Sequence, residues 1–277
     1  MKFLEADARE WEPASRRQQA TPQPAEDDDI LVANGGAPII LQTTSWGQNE
    51  DDLARLTRIL RFGVPFQNST ARLSGITSSA QYFGTVPPKP THKRYACRDA
   101  RLYGIVPEIK PLVERISGAA WAAFRQWLPE QAKQHQALVT EKIHPDWLLA
   151  GTPFTSGIIN NRSALAYHKD SGNLAGSWSM MLCLREWMNG GNLHLPEYGL
   201  TLGVPDRSLI VFNGQSWWHG VTPMMLRRKS AYRYTLVWYV KDMIRHCGCR
   251  EQEARRAGAE ATSVQDKYAE RAAGHPA

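Results

Sequence analysis

The chain has 277 residues, 42% of them apolar and 22% charged, ordinary proportions for a globular protein with a sizeable core. No run approaches the roughly 18 consecutive apolar residues of a membrane span, the opening residues (MKFLEADAREWEP) lack the apolar stretch of a secretory signal, and four cysteines are too few for a disulfide scaffold. The expectation is an intracellular, cytoplasmic protein with no membrane association and no obligate protein partner. Net charge is +6 but uneven: residues 1–30 hold 4 basic against 8 acidic side chains and residues 241–277 hold 7 against 6, leaving 22 against 13 between them. A basic centre suits a polyanionic partner, although charge carried for solubility gives the same sum.

In chain order, residues 1–30 read as a flexible acidic arm, because residues 12–30 are polar, rich in Pro and Gln, and end in acids. Residues 31–257 read as a single domain, with a helical and basic-loop part over 31–145 and a β core over 146–245. Asn49 before Glu50, Asp51 and Asp52 supplies a helix N-cap with acids in the first turn, and Leu53, Leu56, Ile59 and Leu60 follow at helical spacing. Pro107 opens a second helix with Leu112, Ile116, Ala120, Phe124 and Leu128 on one stripe, stopped by Pro129. Residues 70–106 read as loops with short strands. From Asp146 the period shortens to strands at residues 155–160, 164–168, 177–184, 192–195, 200–202, 208–212 and 232–240, with turn signals at Asn189-Gly190-Gly191 and Pro205-Asp206. Many short strands at this spacing predict a β-sandwich or jelly roll with the helices packed outside. Residues 258–277 read as a flexible tail.

The sharpest chemical feature is Tyr167-His168-Lys169-Asp170. On an extended segment His168 and Asp170 share a face, and His219 in Gln215-Ser216-Trp217-Trp218-His219 supplies a third ligand of the two-histidine, one-carboxylate type that leaves Fe(II) open positions. His-x-Asp alone recurs by chance, and taken alone it reads more readily as a hydrogen-bonded surface pair. The order of features is more specific: His-x-Asp, then Gly190-Gly191-Asn192-Leu193, a strand, His219, and a strand bearing Arg233. An Arg there can grip a carboxylate bidentately.

This order resembles the double-stranded β-helix of the Fe(II)/2-oxoglutarate dioxygenases, an α+β fold with the helices outside the jelly roll. His168-Lys169-Asp170-Ser171-Gly172-Asn173 and the strand Arg233-Tyr234-Thr235-Leu236-Val237-Trp238-Tyr239-Val240-Lys241 are similar to the TET/JBP branch, which oxidises the 5-methyl group of pyrimidines in nucleic acids. The resemblance covers roughly residues 150–250. It implies iron on His168, Asp170 and His219, 2-oxoglutarate on Arg233 and Thr235, O₂ as oxidant, and a flipped base held by Asn173 and Tyr239. Lys241 stands where TET enzymes place a His, and their cysteine-rich zinc region has no counterpart here. The implied substrate is 5-methylcytosine in DNA first and thymine second, with RNA left open. The rival readings are a hydroxylase of the same fold acting on a protein side chain or small molecule, and a nucleic-acid-binding protein without catalysis.

Six cations between residues 72 and 101, among them Arg72, Lys93, Arg94 and Arg98, are candidates for the nucleic-acid backbone, with Tyr82 or Phe83 available to stack. A solvated surface loop is the plainer reading. His246-Cys247-Gly248-Cys249 lacks a partner cysteine pair and reads as chemically idle rather than as a zinc site.

Overall fold

The computed structural model describes the chain apart from residues 16, 22–23, 67, 70–77, 90–94 and 274–277. Period-2 alternation builds the centre. In β8 (Ser179–Glu186), β12 (Leu209–Phe212) and β15 (Tyr232–Tyr239), Leu182, Leu184, Leu209, Val211, Leu236 and Trp238 face the helices. Met181, Cys183, Ile210, Phe212 and Val237 face the other way. A strand covered on both faces reads as a nearly continuous apolar run, which is why β8 and β12 show no polar alternation.

Around these strands run β1 (Lys2–Glu5), β2 (Ile30–Asn34), β3 (Ala37–Thr43), β4 (Asn68–Ser69), β5 (Ser78–Val86), β6 (Arg98–Asp99) and β7 (Ser156–Asn161). The major sheet has the order β1-β2-β3-β12-β8-β15-β7-β5-β4, with β6 on β5. All of its pairs are antiparallel except β1 on β2. A minor sheet, β11-β10-β13, comprises β10 (Leu193–Leu195), β11 (Leu200–Leu202) and β13 (Gly220–Val221). A ribbon pairs β9 (Met188–Gly190) with β14 (Met224–Leu226). This is a jelly roll, and its interior between the two sheets is the cavity described below.

The helices cover the opposite face of the major sheet. In α1 (Glu50–Phe62) Asn49 Oδ1 accepts from the amide of Asp52, the expected cap, and Leu53, Leu56 and Leu60 are buried. The second expected helix is α3 (Ile109–Trp127), beginning two residues after Pro107, while the short α2 (Leu102–Ile105) falls in the segment expected as loops and short strands and ends before Pro107, which cannot donate within a helix interior. Pro129 stops α3 but also opens α4 (Pro129–Lys142), because the N1 position needs no amide hydrogen. Trp238 Nε1 donates to Ser117 Oγ at 2.6 Å, tying sheet to helix at a site closed to water. No described helix is long and apolar enough to cross a membrane.

Four expectations are corrected. The described part of residues 1–30 is docked rather than forming a free arm. β1 pairs with β2, Glu26 bridges to Leu202, Ala20 is buried, and Trp11 lies edge-on to Tyr167 with ring centroids 4.6 Å apart. The composition of the segment concealed these few anchoring residues. Residues 258–273, expected as a flexible tail, continue α5 (Arg250–Ala273), whose buried Glu253 accepts from the amides of Cys97 and Gly248. Residues 164–168 form no strand: Leu165 and Tyr167 make single backbone hydrogen bonds to Val221 and Gln18, and His168 an isolated bridge to His219. Cys247 is likewise not idle, being disulfide-bonded to Cys97 across 150 residues.

Candidate active site

His168 and His219 exchange both backbone hydrogen bonds, at 2.9 and 3.0 Å, so two segments 51 residues apart are locked side by side. His168 Nε2 then lies 3.6 Å from Asp170 Oδ1, and His219 Nε2 4.0 Å from Asp170 Oδ2. One ligand atom from each residue falls within 4.8 Å of the other two. The Nδ1 of His168 meets the carbonyl of Ala166 at 2.8 Å, and that of His219 the carbonyl of Trp217 at 3.0 Å. A carbonyl only accepts, so Nδ1 carries the hydrogen in both rings and Nε2 keeps its lone pair facing Asp170. Burial, reinforced by His168, pushes the His219 imidazole well below its usual range, which keeps it neutral and able to bind a cation. This donor set fits Fe(II). The expected proximity of His168 and Asp170 is present, but it comes from the bridge to His219 and not from a regular strand.

Gly214 was not singled out in the sequence. Its carbonyl accepts from the Asp170 amide at 2.9 Å, and a β-carbon there would collide with Asp170 Oδ2, so only glycine lets this turn pass the carboxylate.

Deeper in the jelly roll, Arg233 is 1% exposed. Its Nη2 donates to the carbonyl of Gly191 at 2.7 Å, while its Nε has no partner. The neighbouring Arg185 gives its guanidinium to four carbonyls, of Gly203, Val204, Met188 and Gly190. Burial lowers the pKa of Arg233, the signature of a desolvated cation. Such a group fits a carboxylate brought in by a ligand. Gly191 has φ +71°, and a β-carbon there would stand 2.8 Å from Arg233 Nε, so the Gly-Gly turn leaves the approach to the guanidinium open. Thr235, two residues on and facing the same way, is buried with its Oγ1 accepting from Asn160 Nδ2 at 3.3 Å.

A cavity of about 550 Å³ joins these groups. Its lining includes His168, Asp170, His219, Arg233 and Thr235, together with Asn173, Tyr239 and Lys241. The carbonyl of Asn173 accepts from Gln215 Nε2 at 2.6 Å and its Nδ2 donates to Ser179 Oγ at 3.5 Å. Lys241 Nζ lies 5.9 Å from the Tyr239 ring centroid, and burial lowers its pKa. Of the backbone candidates, Arg72, Lys93 and Arg94 lie outside the described residues. Arg98 sits half-buried on β6 opposite Val86. Phe83 is fully buried, whereas Tyr82 is 52% exposed on the cavity rim with Lys89.

The N-terminal segment supports the site from outside, which the sequence did not foreshadow. Trp11 packs on both Tyr167 and Trp218, each one residue before a histidine of the cluster, and the Gln18 carbonyl accepts from the Tyr167 amide.

The profile of the CMD1/TET dioxygenase C-terminal domain matches residues 89–274, two thirds of the chain. The chain is 23% identical over 188 residues to thymine dioxygenase JBP1-A of Trypanosoma cruzi (strain CL Brener), covering 67% of this chain and 21% of that protein. It is 25% identical over 171 residues to thymine dioxygenase JBP1 of Leishmania infantum, covering 61% and 20% respectively. It therefore spans about a fifth of the length of these curated relatives. NgTET1, solved in complex with 5mC DNA, superposes with a TM-score of 0.60 at 11% identity over 83% of this chain and 84% of that one, a likeness of fold.

Proposed function

The chain belongs to the CMD1/TET dioxygenase C-terminal domain family, and on that footing we propose that it is an Fe(II)/2-oxoglutarate dioxygenase oxidising the 5-methyl group of a pyrimidine in DNA. The observation that carries this reading is the pairing, in one cavity, of a buried two-histidine, one-carboxylate cluster with a buried arginine whose Nε is unpartnered. Iron with 2-oxoglutarate supplies an oxidant for a strong methyl C–H bond, one atom of O₂ entering the methyl group and the other ending in succinate as CO₂ leaves. His168, Asp170 and His219 would hold the metal. Arg233 and Thr235 would hold the far carboxylate of the keto acid, leaving its reactive end free for the metal.

A base inside a duplex cannot reach this cavity, so it enters flipped, and Tyr239 gives it a stacking face. With Asn173 Nδ2 directed at Ser179, Asn173 Oδ1 is left as an acceptor for the exocyclic amine of 5-methylcytosine. That favours 5-methylcytosine as first substrate. Thymine is the second reading, supported by Lys241, which as a cation only donates and so suits a carbonyl on the base edge, and by the thymine dioxygenase relatives.

The test is incubation of DNA containing either base with Fe(II), 2-oxoglutarate and ascorbate, followed by nucleoside mass spectrometry, with Asp170→Ala as the blank. Hydroxymethylated nucleoside from wild type alone is the expected result. Succinate release independent of DNA, with no modified base, would favour a protein or small-molecule substrate. No turnover of 2-oxoglutarate at all would favour simple nucleic-acid binding.

A further inference from the structure

A second basic surface lies at the end of β15 away from Tyr239. The turn after β14 carries Arg227, Arg228 and Lys229, all exposed, and it meets the C-terminal end of α1, where Arg61 Nη2 donates to the carbonyl of Ser230 at 3.3 Å. Arg58, exposed one turn earlier, flanks Arg61 on the same side of α1. Among the described residues none of these five cations has a carboxylate within ion-pair distance. Elsewhere on the surface Arg115, Arg207, Arg250, Arg255 and Arg256 each have one. Two exposed acids, Asp206 and Glu186, act on Tyr232 at the edge of the patch.

Aromatic rings hold two of the cations in place. Arg228 lies 3.6 Å from the ring centre of Trp187, which is itself 39% exposed. Arg61 is held between Tyr232 at 4.8 Å and Phe62 at 5.2 Å. The backbone fixes the arrangement further, because the Arg227 amide donates to the Trp187 carbonyl at 2.9 Å. A guanidinium stacked on an indole is pre-organised and presents its remaining N–H groups outward.

Position separates this surface from the cavity. Tyr232 borders the patch and Tyr239 lines the cavity, at opposite ends of β15. Seven residue steps of strand put them about 23 Å apart. Arg233, next to Tyr232, also lines the cavity but on the other face of the sheet, so a base held at Tyr239 is separated from the patch both along β15 and across the sheet.

We propose that Arg58, Arg61, Arg227, Arg228 and Lys229, with Trp187, form a second phosphate-backbone contact that anchors a stretch of nucleic acid other than the one feeding the cavity. The unpaired cations neutralise phosphates with release of counterions. Trp187 adds a face for an unstacked base at the same place. The proposal rests on the nucleic-acid reading above, and its consequence is that long substrates are held at two places and short ones at one.

The test compares wild type with the triple variant Arg227→Glu, Arg228→Glu, Lys229→Glu, whose changes fall in an exposed turn, on a duplex of about 60 base pairs and on an oligonucleotide of about six nucleotides. On the long duplex the variant should bind at least tenfold more weakly, with a salt slope smaller by about three. On the short oligonucleotide its base oxidation should equal that of wild type. A milder variant, Trp187→Ala, should weaken binding of long single strands several-fold. Unchanged long-duplex affinity and salt slope in the triple variant would overturn the proposal, even with base oxidation intact. Conversely, a lost salt slope in a protein that oxidises no base would leave the anchor standing and remove the catalytic reading. Loss of binding to phosphatidylserine vesicles with DNA affinity unchanged would reassign the patch to a membrane surface.

Discussion

At the scale of single residues, the account depends on which side chains lack a partner in the protein. Asp170 faces two imidazole lone pairs and Arg233 has an unpartnered Nε, so each should report a different ligand. Removing Asp170, His168 or His219 should abolish stoichiometric Fe(II) binding in protein that stays folded by circular dichroism. A variant of any one that still loads a full equivalent of iron would take that residue out of the metal set. Arg233→Ala removes one partner of a desolvated ion pair, which costs about 3–5 kcal/mol, or roughly two to three and a half decades in 2-oxoglutarate affinity. Arg233→Lys should recover only part of this, because Lys lacks the planar fork. Isothermal titration of 2-oxoglutarate into metal-loaded protein measures both, and an unchanged affinity in Arg233→Ala would place the co-substrate elsewhere.

At the scale of elements, strands and helix starts were legible where one local signal governs them. Asn49 with its following acids marked the start of α1, and the run Leu209-Ile210-Val211-Phe212 marked β12. The metal-candidate segment was legible as His-x-Asp, yet its conformation was not, since no local pattern announces that residue 168 pairs with residue 219. Residues 1–30 were missed for a similar reason. Their composition is that of a disordered segment, while their anchors, β1, Trp11 and Ala20, are scattered and act through long-range contacts. Trp11 touches Tyr167 and Trp218, so it reaches both histidines through the residues that precede them. Trp11→Ala should therefore weaken iron binding by up to about tenfold. It should lower stability by about 0.5–1.5 kcal/mol for the lost ring contacts, plus the area they buried. Unchanged iron affinity alongside reduced stability would make the segment a covering with no hold on the metal site.

At the scale of the whole molecule, folding and pH are linked through buried imidazoles. His135 is fully buried under the helices, its Nε2 donating to the carbonyl of Pro153 and its Nδ1 accepting from the amide of Trp178, so the neutral form satisfies both bonds. Burial pushes its pKa down from 6.5 to about 4. Protons therefore bind the unfolded chain first. Stability is fully present above pH 6.5 and falls as the pH drops toward 4, by roughly 3 kcal/mol from His135 alone. In metal-free protein His219, also depressed by burial, adds to the loss. Urea unfolding of the metal-free protein at pH 7 and at pH 4.5 measures this, and a stability that stays flat across that interval would show that His135 is protonated in the fold.

The most direct measurement of the central claim is turnover under ¹⁸O₂ with DNA carrying 5-methylcytosine or thymine. Mass spectrometry should find one labelled oxygen in the hydroxymethyl nucleoside and one in succinate, in equal amounts, with none in the products of Asp170→Ala. Labelled succinate without any labelled nucleoside from either base would contradict the assignment of this cavity to pyrimidine methyl oxidation.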